Sequence, residues 1–517
     1  MQENKDATTG FDNGVYTVFY HKEAKTAPEF LTAHNEIKAK CPSDDKKKPW
    51  LTTVVPVICN YLTLTIIGLS LWGALWCLWG EGWSIQGAWF RLALVAVIAW
   101  ASGQALQALT LLPPLLAALL TGILAKNLGF LDMNEFTDVD MFLRKLYPIV
   151  ILGKGALAWD VGFMIQNWKR VATLGVLPWL AEVVVLAMLV HHFLGFPYVW
   201  GFLLGSIYAS VSCPVVMPPV LRVSASAGSP RNWPQLVCTA GGIDTALSVG
   251  VYGLIYSIIF YEASDGCRYT KAALTLFAGV GLGVLMGCVA GLIPHPRDFY
   301  VTELRILLVV VGGLLANMLT YMFGWGGTGG VAVLACNATA ATFWARDGWK
   351  LNNNPASTAY RVMWSTLEPI LFAYTGTFFE INSNVSTQLV PGFAILAVCL
   401  FVRLTVAALT CWDFPIKEKL FVCCAWTPKS IVEAVLCPLA LNTFTLAGDF
   451  DSDERQFAEG LLRLIVQAIL ITTPIGFLLT NHLGPVLLRT AEKDCEKDDP
   501  SPQRRKSING SQNDLKI

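Results

Sequence analysis

The chain has 517 residues, of which 54% are hydrophobic and only 14% are charged, and its formal net charge at pH 7 is zero. Its mean hydropathy is +0.52. A soluble protein with so few charges would expose large apolar patches to water. The composition therefore excludes a soluble globular protein and predicts an integral membrane protein in contact with the lipid bilayer, with no nucleic-acid partner.

The segment 1–50 is polar and ends in "DDKKKPW". It contains no apolar core of a cleavable signal peptide, and the first apolar run after it is too long to be one. Basic residues beside the first span favour a cytoplasmic N-terminus. We therefore expect 1–50 to be a cytoplasmic tail, and the polar segment 489–517 to be a second cytoplasmic tail without fixed structure.

Between the tails, 51–488 is predicted to be a transmembrane domain. A helix needs roughly 20 apolar residues to cross about 30 Å of hydrocarbon. The apolar runs of that length lie near 51–79, 89–109, 111–129, 146–165, 171–194, 198–221, 235–260, 272–293, 304–323, 326–345, 362–381, 389–412, 418–441 and 461–483. The sequence thus predicts an all-α polytopic membrane protein with about 14 transmembrane helices.

Charges in the connections between the spans bear on orientation. Basic residues such as Arg170 and Arg222 fall in even-numbered connections, whereas the acidic segments "LDMNEFTDVD" and "GDFDSDE" fall in odd-numbered ones. Four basic residues that are counted with the odd-numbered connections oppose this pattern, namely Arg144, Lys145, Arg268 and Lys271. The balance favours cytoplasmic even-numbered connections.

Residue patterns of enzymes are missing from the sequence. Its 14 cysteines are spread without a CxxC pair or a Cys/His cluster, so we predict neither a disulfide framework nor a zinc site. The sequence contains no nucleotide-binding glycine loop and no convincing nucleophilic triad. We therefore expect neither an enzyme nor an ATP-driven pump, and no cofactor.

Four ionisable residues lie inside predicted spans, where each charge costs about 2.5–3.5 kcal/mol on insertion scales. Two are acids, Glu182 and Asp244, and two are bases, Arg403 and Lys429. Such residues usually pair with one another or mark a transport pathway. They are the first candidates for a functional site, with Glu433, one helical turn after Lys429, as a secondary candidate.

Proline interrupts two of the predicted spans. The sixth span, with "SVSCPVVMPPV", contains Pro214, Pro218 and Pro219, and the thirteenth, with "AWTPKSIVEA", contains Pro428. Proline removes a backbone donor and clashes with the preceding turn, so each span is predicted to break or kink there. Backbone groups freed at membrane depth must be buried in protein or line a cavity.

The two interrupted spans are seven apart in the chain. The three-span units around them, about 171–260 and 389–483, therefore enter the membrane in opposite directions. This is the arrangement of inverted repeats, in which paired broken helices hold substrate and ion near the midplane. Glu182 and Arg403 then occupy equivalent positions in the two units, and we expect them to pair.

Five stretches occur in an order typical of one family: "PPLLAALLTGILAKNLG", "FPYVWGFLLGSIYASVSCPVVMP", "GWGGTGGVAVL", "EPILFAYTG" and "IKEKLFVCCAWTPKSIVEAV". In these stretches the chain resembles the NHA-type sodium/proton exchangers of solute carrier family 9, subfamily B, within the monovalent cation:proton antiporter superfamily. The resemblance implies a homodimer with a dimerisation domain and a six-helix core whose two broken helices cross. It also implies an elevator-like motion of that core.

The same resemblance assigns roles to single residues. Asp244 resembles the first acid of the family's Asp-Asp pair, and Lys429 the lysine that forms a salt bridge with it. Arg403 resembles the basic residue of the opposing helix, and Glu182 its acidic partner. The expected helix breaks contain Ser212, Cys213, Pro214, Thr427 and Pro428. The cysteine departs from the sequences more usual at the first break.

A larger departure follows Asp244. The family normally has a second aspartate there, the carboxylate for which sodium and protons compete, and this chain has Thr245. Threonine offers a hydroxyl oxygen but cannot exchange a proton near neutral pH. We predict an ion- and proton-binding site at Asp244 and Thr245, with both as ligands of Na+, although pairing of the four charges would leave no free anionic site.

Three functions stay open at this point. The first is exchange of Na+ or Li+ for protons, in which Asp244 alternates between a proton, Lys429 and the cation. The second is proton-coupled transport of chloride or another anion, motivated by the missing carboxylate, the two retained bases and the helix N-termini at the breaks. The third is a homologue that no longer transports and instead regulates a partner or senses ions.

Two further expectations concern the transport pathway and the membrane in which the protein resides. Asn337, in "LACNATAAT", is a secondary candidate for the pathway, although hydrogen bonding between helices is the commoner role of such a residue. The sequon at 384–386 and the lack of an Arg-rich transit peptide favour the plasma membrane, with endosomal or mitochondrial membranes as alternatives.

Overall fold

The computed structural model describes residues 49–110, 112–227, 232–260, 268–293, 295, 297–350, 354–381 and 385–488. Every regular element within these ranges is a helix, which confirms the predicted all-α class. The predicted tails, 1–50 and 489–517, lie outside the described residues, except that Pro49 and Trp50 begin the first helix.

The helices are numbered here in chain order. They are α1 (Pro49–Trp79), α2 (Ala88–Thr110), α3 (Leu115–Asn127), α4 (Thr137–Ala156), α5 (Val161–Gln166), α6 (Trp168–Leu194), α7 (Tyr198–Tyr208), α8 (Cys213–Ala227), α9 (Trp233–Phe260), α10 (Arg268–Leu292), α11 (Val301–Met322), α12 (Thr328–Arg346), α13 (Pro355–Gly376), α14 (Val385–Thr410), α15 (Ile416–Ala425), α16 (Ile431–Ala447) and α17 (Asp453–Leu478). Short 3₁₀ helices lie at Gly80–Trp83 and Met133–Phe136, and a π-helical turn, Leu479–Leu483, follows α17.

Nine helical segments of the described chain are long and apolar enough to cross a membrane. They are Ile58–Trp83, Ala88–Thr110, Trp168–Leu194, Tyr198–Ser224, Trp233–Phe260, Leu274–Leu292, Val301–Met322, Val390–Thr410 and Asp453–Leu488. The shorter apolar helices α3 and α16 accompany them. The protein is therefore a multi-pass integral membrane protein, although the predicted number of about 14 crossings is not confirmed.

Two predicted spans are displaced along the chain. The run at 146–165 corresponds to α4, which begins nine residues earlier at Thr137, and the run at 362–381 corresponds to α13, which begins at Pro355. Helix α4 includes a charged first half because Asp140 and Arg144 neutralise each other inside the protein, 2.6 Å apart. Arg144 is therefore a buried helical residue, and counting it with the loop charges was wrong.

The chain divides into two compact units, and the boundary falls between Leu94 and Val95. In the first unit, α1 leaves apolar side chains such as Ile66, Leu69 and Leu71 more than half exposed. A helix that is apolar on all sides and leaves those sides exposed is suited to contact with lipid. The second unit contains α3 to α17 and all the candidate site residues.

The predicted interruptions are present in the second unit. Helix α7 ends at Tyr208 and α8 begins at Cys213, while α15 ends at Ala425 and α16 begins at Ile431. The break before α8 lies N-terminal to Pro214, and α8 continues through Pro218 and Pro219, which the sequence placed among its helix breakers. Pro214 falls in the first turn of α8, where the missing N–H has no helical partner to lose.

The two breaks touch each other. The backbone N–H of Ser212 donates to the carbonyl oxygen of Pro428, 2.9 Å away. The hydroxyl oxygens of Ser212 and Ser430 are hydrogen-bonded at 2.5 Å. The ends of four half-helices are thereby brought to one place inside the protein, where their backbone groups need partners other than water.

Candidate functional site

Side chains from neighbouring helices bind the backbone groups that the first break leaves free. The carbonyl oxygen of Ala209 accepts a hydrogen bond from Arg403 on α14. The N–H of Val211 donates to Asp244 Oδ1 on α9, at 2.8 Å. A cationic side chain thus binds a free carbonyl and an anionic one binds a free amide, which is the match that unpaired helix ends favour.

The second break is held in the same way. Arg403 Nε donates to the carbonyl oxygen of Trp426, at 3.2 Å. The backbone N–H of Lys429 donates to Thr472 Oγ1 at 3.1 Å, and the hydroxyl of Thr473 donates to the carbonyl oxygen of Lys429 at 2.5 Å. Arg403 therefore binds one carbonyl from each break and ties them together.

The ionisable residues form one connected network. Arg403 binds Glu182 Oε2 through Nη1 and Asp244 Oδ2 through Nη2, each at 2.7 Å. The Lys429 ammonium binds the same Glu182 oxygen, at 2.7 Å. All four side chains are fully buried. Buried charges are tolerated only when paired and hydrogen-bonded, and this network meets that requirement.

The partners differ in one respect from those expected. Glu182 lies against Arg403 as predicted, but Lys429, expected to pair with Asp244, binds Glu182 instead. The reason is the shape of the guanidinium group, whose planar fork of donors can reach two carboxylates and two carbonyl oxygens at once. Lys429 also lies over the ring of Tyr208, with its ammonium 4.7 Å from the ring centre.

Asp244 and Thr245 are adjacent in sequence but face different surroundings. Asp244 is inaccessible to solvent inside the network, whereas Thr245 lines a cavity of about 230 Å³. Side chains at successive helical positions point about 100° apart. That cavity also reaches Ser212 and Pro214 at the first break, and Lys154 on α4. The predicted Na+ site at Asp244 and Thr245 therefore stays a prediction, spanning the network and the cavity wall.

The remaining break residues have local roles. Cys213 is the first residue of α8 and lines the same cavity. Thr427 Oγ1 donates to the carbonyl oxygen of Cys423, one turn earlier in the chain, at 2.8 Å. Pro428 lies between α15 and α16, and its carbonyl oxygen makes the contact with Ser212. These residues shape the breaks rather than carry their charge.

The two secondary candidates are placed differently. Glu433 is fully buried in the first turn of α16, and its Oε2 accepts the backbone N–H of Ser430 at 2.9 Å. Asn337 is also buried, on α12, where its Nδ2 donates to the carbonyl oxygen of Val333 in its own helix at 3.0 Å. Glu433 adjoins the network, whereas this hydrogen bond of Asn337 stays within α12.

Sequence reasoning missed a second buried polar cluster. Arg144 on α4 pairs with Asp140 at 2.6 Å and donates to the carbonyl oxygens of Ala434 and Val435 on α16, at 2.7 and 3.3 Å. Asn442, also on α16, donates to Asp140 at 2.5 Å. The spacing of four between an acid and a base on one helix was the signal that could have revealed this pair.

Comparisons with known proteins agree with the architecture. The family model described as the transmembrane sodium/hydrogen exchanger matches residues 92–481. The human protein sodium/hydrogen exchanger 9B1 is 29% identical over 493 residues, which cover 90% of this chain and 93% of that protein. The human sodium/hydrogen exchanger 9B2 is 28% identical over 439 residues, which cover 83% of this chain and 80% of that protein.

A solved structure shares the fold. The sodium proton antiporter MjNhaP1 from Methanocaldococcus jannaschii, at pH 8, superposes with a TM-score of 0.65 at 19% sequence identity, covering 78% of this chain and 98% of that chain. At this identity the likeness concerns the fold alone. Because the family model spans well over half of the sequence, the chain belongs to the family of transmembrane sodium/hydrogen exchangers.

Proposed function

We propose that the protein exchanges Na+ or Li+ for protons, and that Asp244 is the carboxylate that binds the proton and the cation in turn. The observation that supports this most is how Asp244 is paired. Its cationic partner Arg403 also binds Glu182, which in turn binds Lys429. Neutralising Asp244 with a proton or a cation therefore leaves no other charge of the network without a partner.

Oxygen atoms for a small cation are present around Asp244. Thr245 contributes a hydroxyl to the adjoining cavity. Ser210, in the first break, is buried, and its hydroxyl oxygen has no hydrogen-bond partner among the described residues. Exchangers with broken helices bind Na+ through such unwound segments. We propose that Na+ or Li+ takes Asp244, Thr245 and break oxygens as ligands.

Transport further requires that the site meets one side of the membrane at a time. We propose that the segments 171–260 and 389–483 move together as a core, in an elevator-type motion, against the remaining helices of a homodimer. In support, all four residues of the network come from these two segments, Glu182 and Asp244 from the first and Arg403 and Lys429 from the second. Light scattering of the solubilised protein tests the dimer, and two protomers per particle are expected.

The exchange itself is tested with the purified full chain in proteoliposomes. Imposed gradients of Na+, Li+ and K+ are applied in turn while a dye reports the internal pH. We expect proton flux opposite to Na+ or Li+, and no such flux with Asp244→Asn. Folded wild-type protein that moves no protons under any of these gradients would contradict the proposal.

A second candidate is proton-coupled chloride transport, and one observation favours it. The cavity beside the breaks is lined by Lys154, and its lining within the described chain contains no aspartate or glutamate. A cavity of this kind suits an anion better than a cation. Chloride gradients in the same vesicles separate the two, because exchange of Na+ for H+ that persists without chloride rejects this candidate. If the folded wild-type protein moves neither protons nor chloride under any of these gradients, the result would instead support a homologue that no longer transports and has a regulatory role.

We propose the plasma membrane as the location, with endosomal and mitochondrial membranes as the alternatives that the test must separate. Fractionation of cells that produce the tagged full chain, with markers of the three membranes, is the direct measurement. Enrichment with the plasma-membrane marker is expected, and enrichment with either organellar marker would contradict the proposal.

A further inference from the structure

Glu433 is a buried acid that the network of four charges does not include. It lies in the first turn of α16 with no exposed surface. One carboxylate oxygen, Oε2, accepts the backbone N–H of Ser430, while the other, Oε1, is buried with no hydrogen-bond partner among the described residues. An unpartnered buried carboxylate oxygen costs free energy, so its presence calls for an explanation.

The cap that Glu433 makes does not require a charge. Ser430 and Glu433 form a capping box, in which the side chain at the third helical position accepts the N–H of the capping residue. Glutamine makes the same hydrogen bond as glutamate in this motif. Helix capping therefore explains Oε2 and the length of the side chain, but it explains neither the second oxygen nor the acid.

The net charge of the buried site depends on whether Glu433 is ionised. When every group is ionised, the acids Glu182, Asp244 and Glu433 carry three negative charges, while Arg403 and Lys429 carry two positive charges. The buried cluster then has a net charge of −1, which is costly away from water. One proton on Glu433, or one monovalent cation in the site, makes the cluster neutral.

The groups around Glu433 are consistent with a carboxylate whose protonation sets the charge of the cluster. It interacts electrostatically with Lys429 in the second break and with Asp244 on α9. Tyr208 on α7 and Cys437, one turn further along α16, are two further titratable neighbours. Lys429 is held by Glu182 at 2.7 Å, so this cation near Glu433 already has a carboxylate partner.

We propose that Glu433 is the second exchangeable carboxylate of the site and supplies the negative charge that Thr245 does not. This role rests on the proposed cation/proton exchange. In the proton-loaded state Asp244 and Glu433 share one proton, and the remaining charges of the cluster cancel. When Na+ or Li+ enters at Asp244 and Thr245, this proton leaves to water, and the cluster is again neutral. One cation thus replaces one proton without a net buried charge in either state.

The test compares Glu433→Gln with wild type in proteoliposomes under Na+ and Li+ gradients. The variant keeps the cap and loses the charge, so we expect a thermal unfolding temperature near that of wild type and exchange slower by about tenfold or more. Glu303→Gln, at an exposed position in the first turn of α11, is the matched control and should exchange as wild type does.

A stricter test than the single variant moves the negative charge from Glu433 to position 245. The double variant Thr245→Asp with Glu433→Gln moves the carboxylate to the position usual in the family, and we expect it to regain exchange. In weakly buffered detergent solution, Li+ should release about one proton per site from wild type and none from Glu433→Gln. If Glu433→Gln does not fold, Glu433→Asp replaces it, and its exchange should persist with a shifted pH profile.

The outcomes separate the two proposals. Wild type that exchanges, together with a folded Glu433→Gln that exchanges equally fast and releases the same number of protons, overturns the role of Glu433 and leaves the exchange intact. If exchange by Glu433→Asp has the same pH profile as exchange by wild type, the role of Glu433 is likewise overturned and the exchange is left intact. Wild type that moves no protons under any cation gradient overturns the exchange and, with it, this role.

Discussion

Substitution of Arg403 should lower the free energy of unfolding strongly, because Arg403 binds two acids and the carbonyl groups of both breaks. Arg403→Met keeps an unbranched apolar side chain in place of the aliphatic part of arginine, but removes the bonds to Glu182 and Asp244 and those to the carbonyl oxygens of Ala209 and Trp426. Breaking a buried ion pair by removing one partner costs about 3–5 kcal/mol. Each carbonyl left unpaired adds about 1–3 kcal/mol. We expect the free energy of unfolding to fall by about 5 kcal/mol or more.

Unfolding by SDS in mixed micelles measures this loss, and a second substitution tests its cause. In Arg403→Met the charge left without a partner is that of Asp244, because Glu182 still binds Lys429. Adding Asp244→Asn should therefore restore more stability than adding Glu182→Gln. Equal recovery with the two second substitutions would refute the pairing described here.

A surface ion pair gives the control for this experiment. Arg170 pairs with Asp413 where both side chains are about one-third exposed. Exposed pairs contribute about 0–1 kcal/mol. Arg170→Met should accordingly lower the free energy of unfolding by far less than Arg403→Met, and a loss as large as that of Arg403→Met would contradict the assignment of its cost to burial.

Three further outcomes are expected. Arg144→Met leaves Asp140 as an unpaired buried charge, so SDS unfolding should show a loss of about 3–5 kcal/mol, and no loss would contradict the cluster. Thr245→Asp adds an anionic ligand and should raise the apparent affinity for Na+ or Li+ in the vesicle assay by about tenfold; unchanged affinity would place the cation elsewhere. Gly476→Ala would bring a Cβ within 2.8 Å of Pro428 Cβ, and the overpacking should cost about 1–3 kcal/mol in the same unfolding assay, whereas wild-type stability would contradict the close packing at the second break.

Most of the helices could be predicted from hydropathy alone, because bilayer thickness fixes the length of an apolar run. Helix α4 shows where this reasoning fails. Its first half contains Asp140 and Arg144, which look like loop residues when read one at a time. Only their mutual pairing and the carbonyl groups of α16 make that stretch suitable for a buried helix, and those carbonyls come from residues about 290 positions later in the chain.

The sequence predicted that two helices break, but it did not predict the position of the first break within its span. Prolines in two apolar runs were enough to predict two interrupted helices, yet the first break lies before Pro214 and not at Pro218 and Pro219. The position depends on partners from elsewhere in the fold. Asp244 accepts the N–H of Val211 and Arg403 binds Ala209, so the chain unwinds where these groups can be bound.

The candidate site was also predicted in part. The sequence identified the buried ionisable residues by their positions inside apolar spans, where charges are rare enough to be informative. The inverted-repeat arrangement placed Glu182 with Arg403. The sequence could not assign Asp244 to Arg403 or Lys429 to Glu182, since donor geometry decides between neighbours a few ångströms apart. The cavity beside Thr245, and its wall at Lys154, needed the tertiary structure.

The central claim, that Asp244 exchanges a proton for a cation, is tested most directly by the initial rate of proton movement in proteoliposomes under an imposed Na+ or Li+ gradient. Wild type, Asp244→Asn and the exposed control Glu303→Gln are compared at equal amounts of folded protein. We predict equal rates for wild type and Glu303→Gln, and no rate above that of empty vesicles for Asp244→Asn. Cation-driven proton movement by Asp244→Asn at the wild-type rate would contradict the claim.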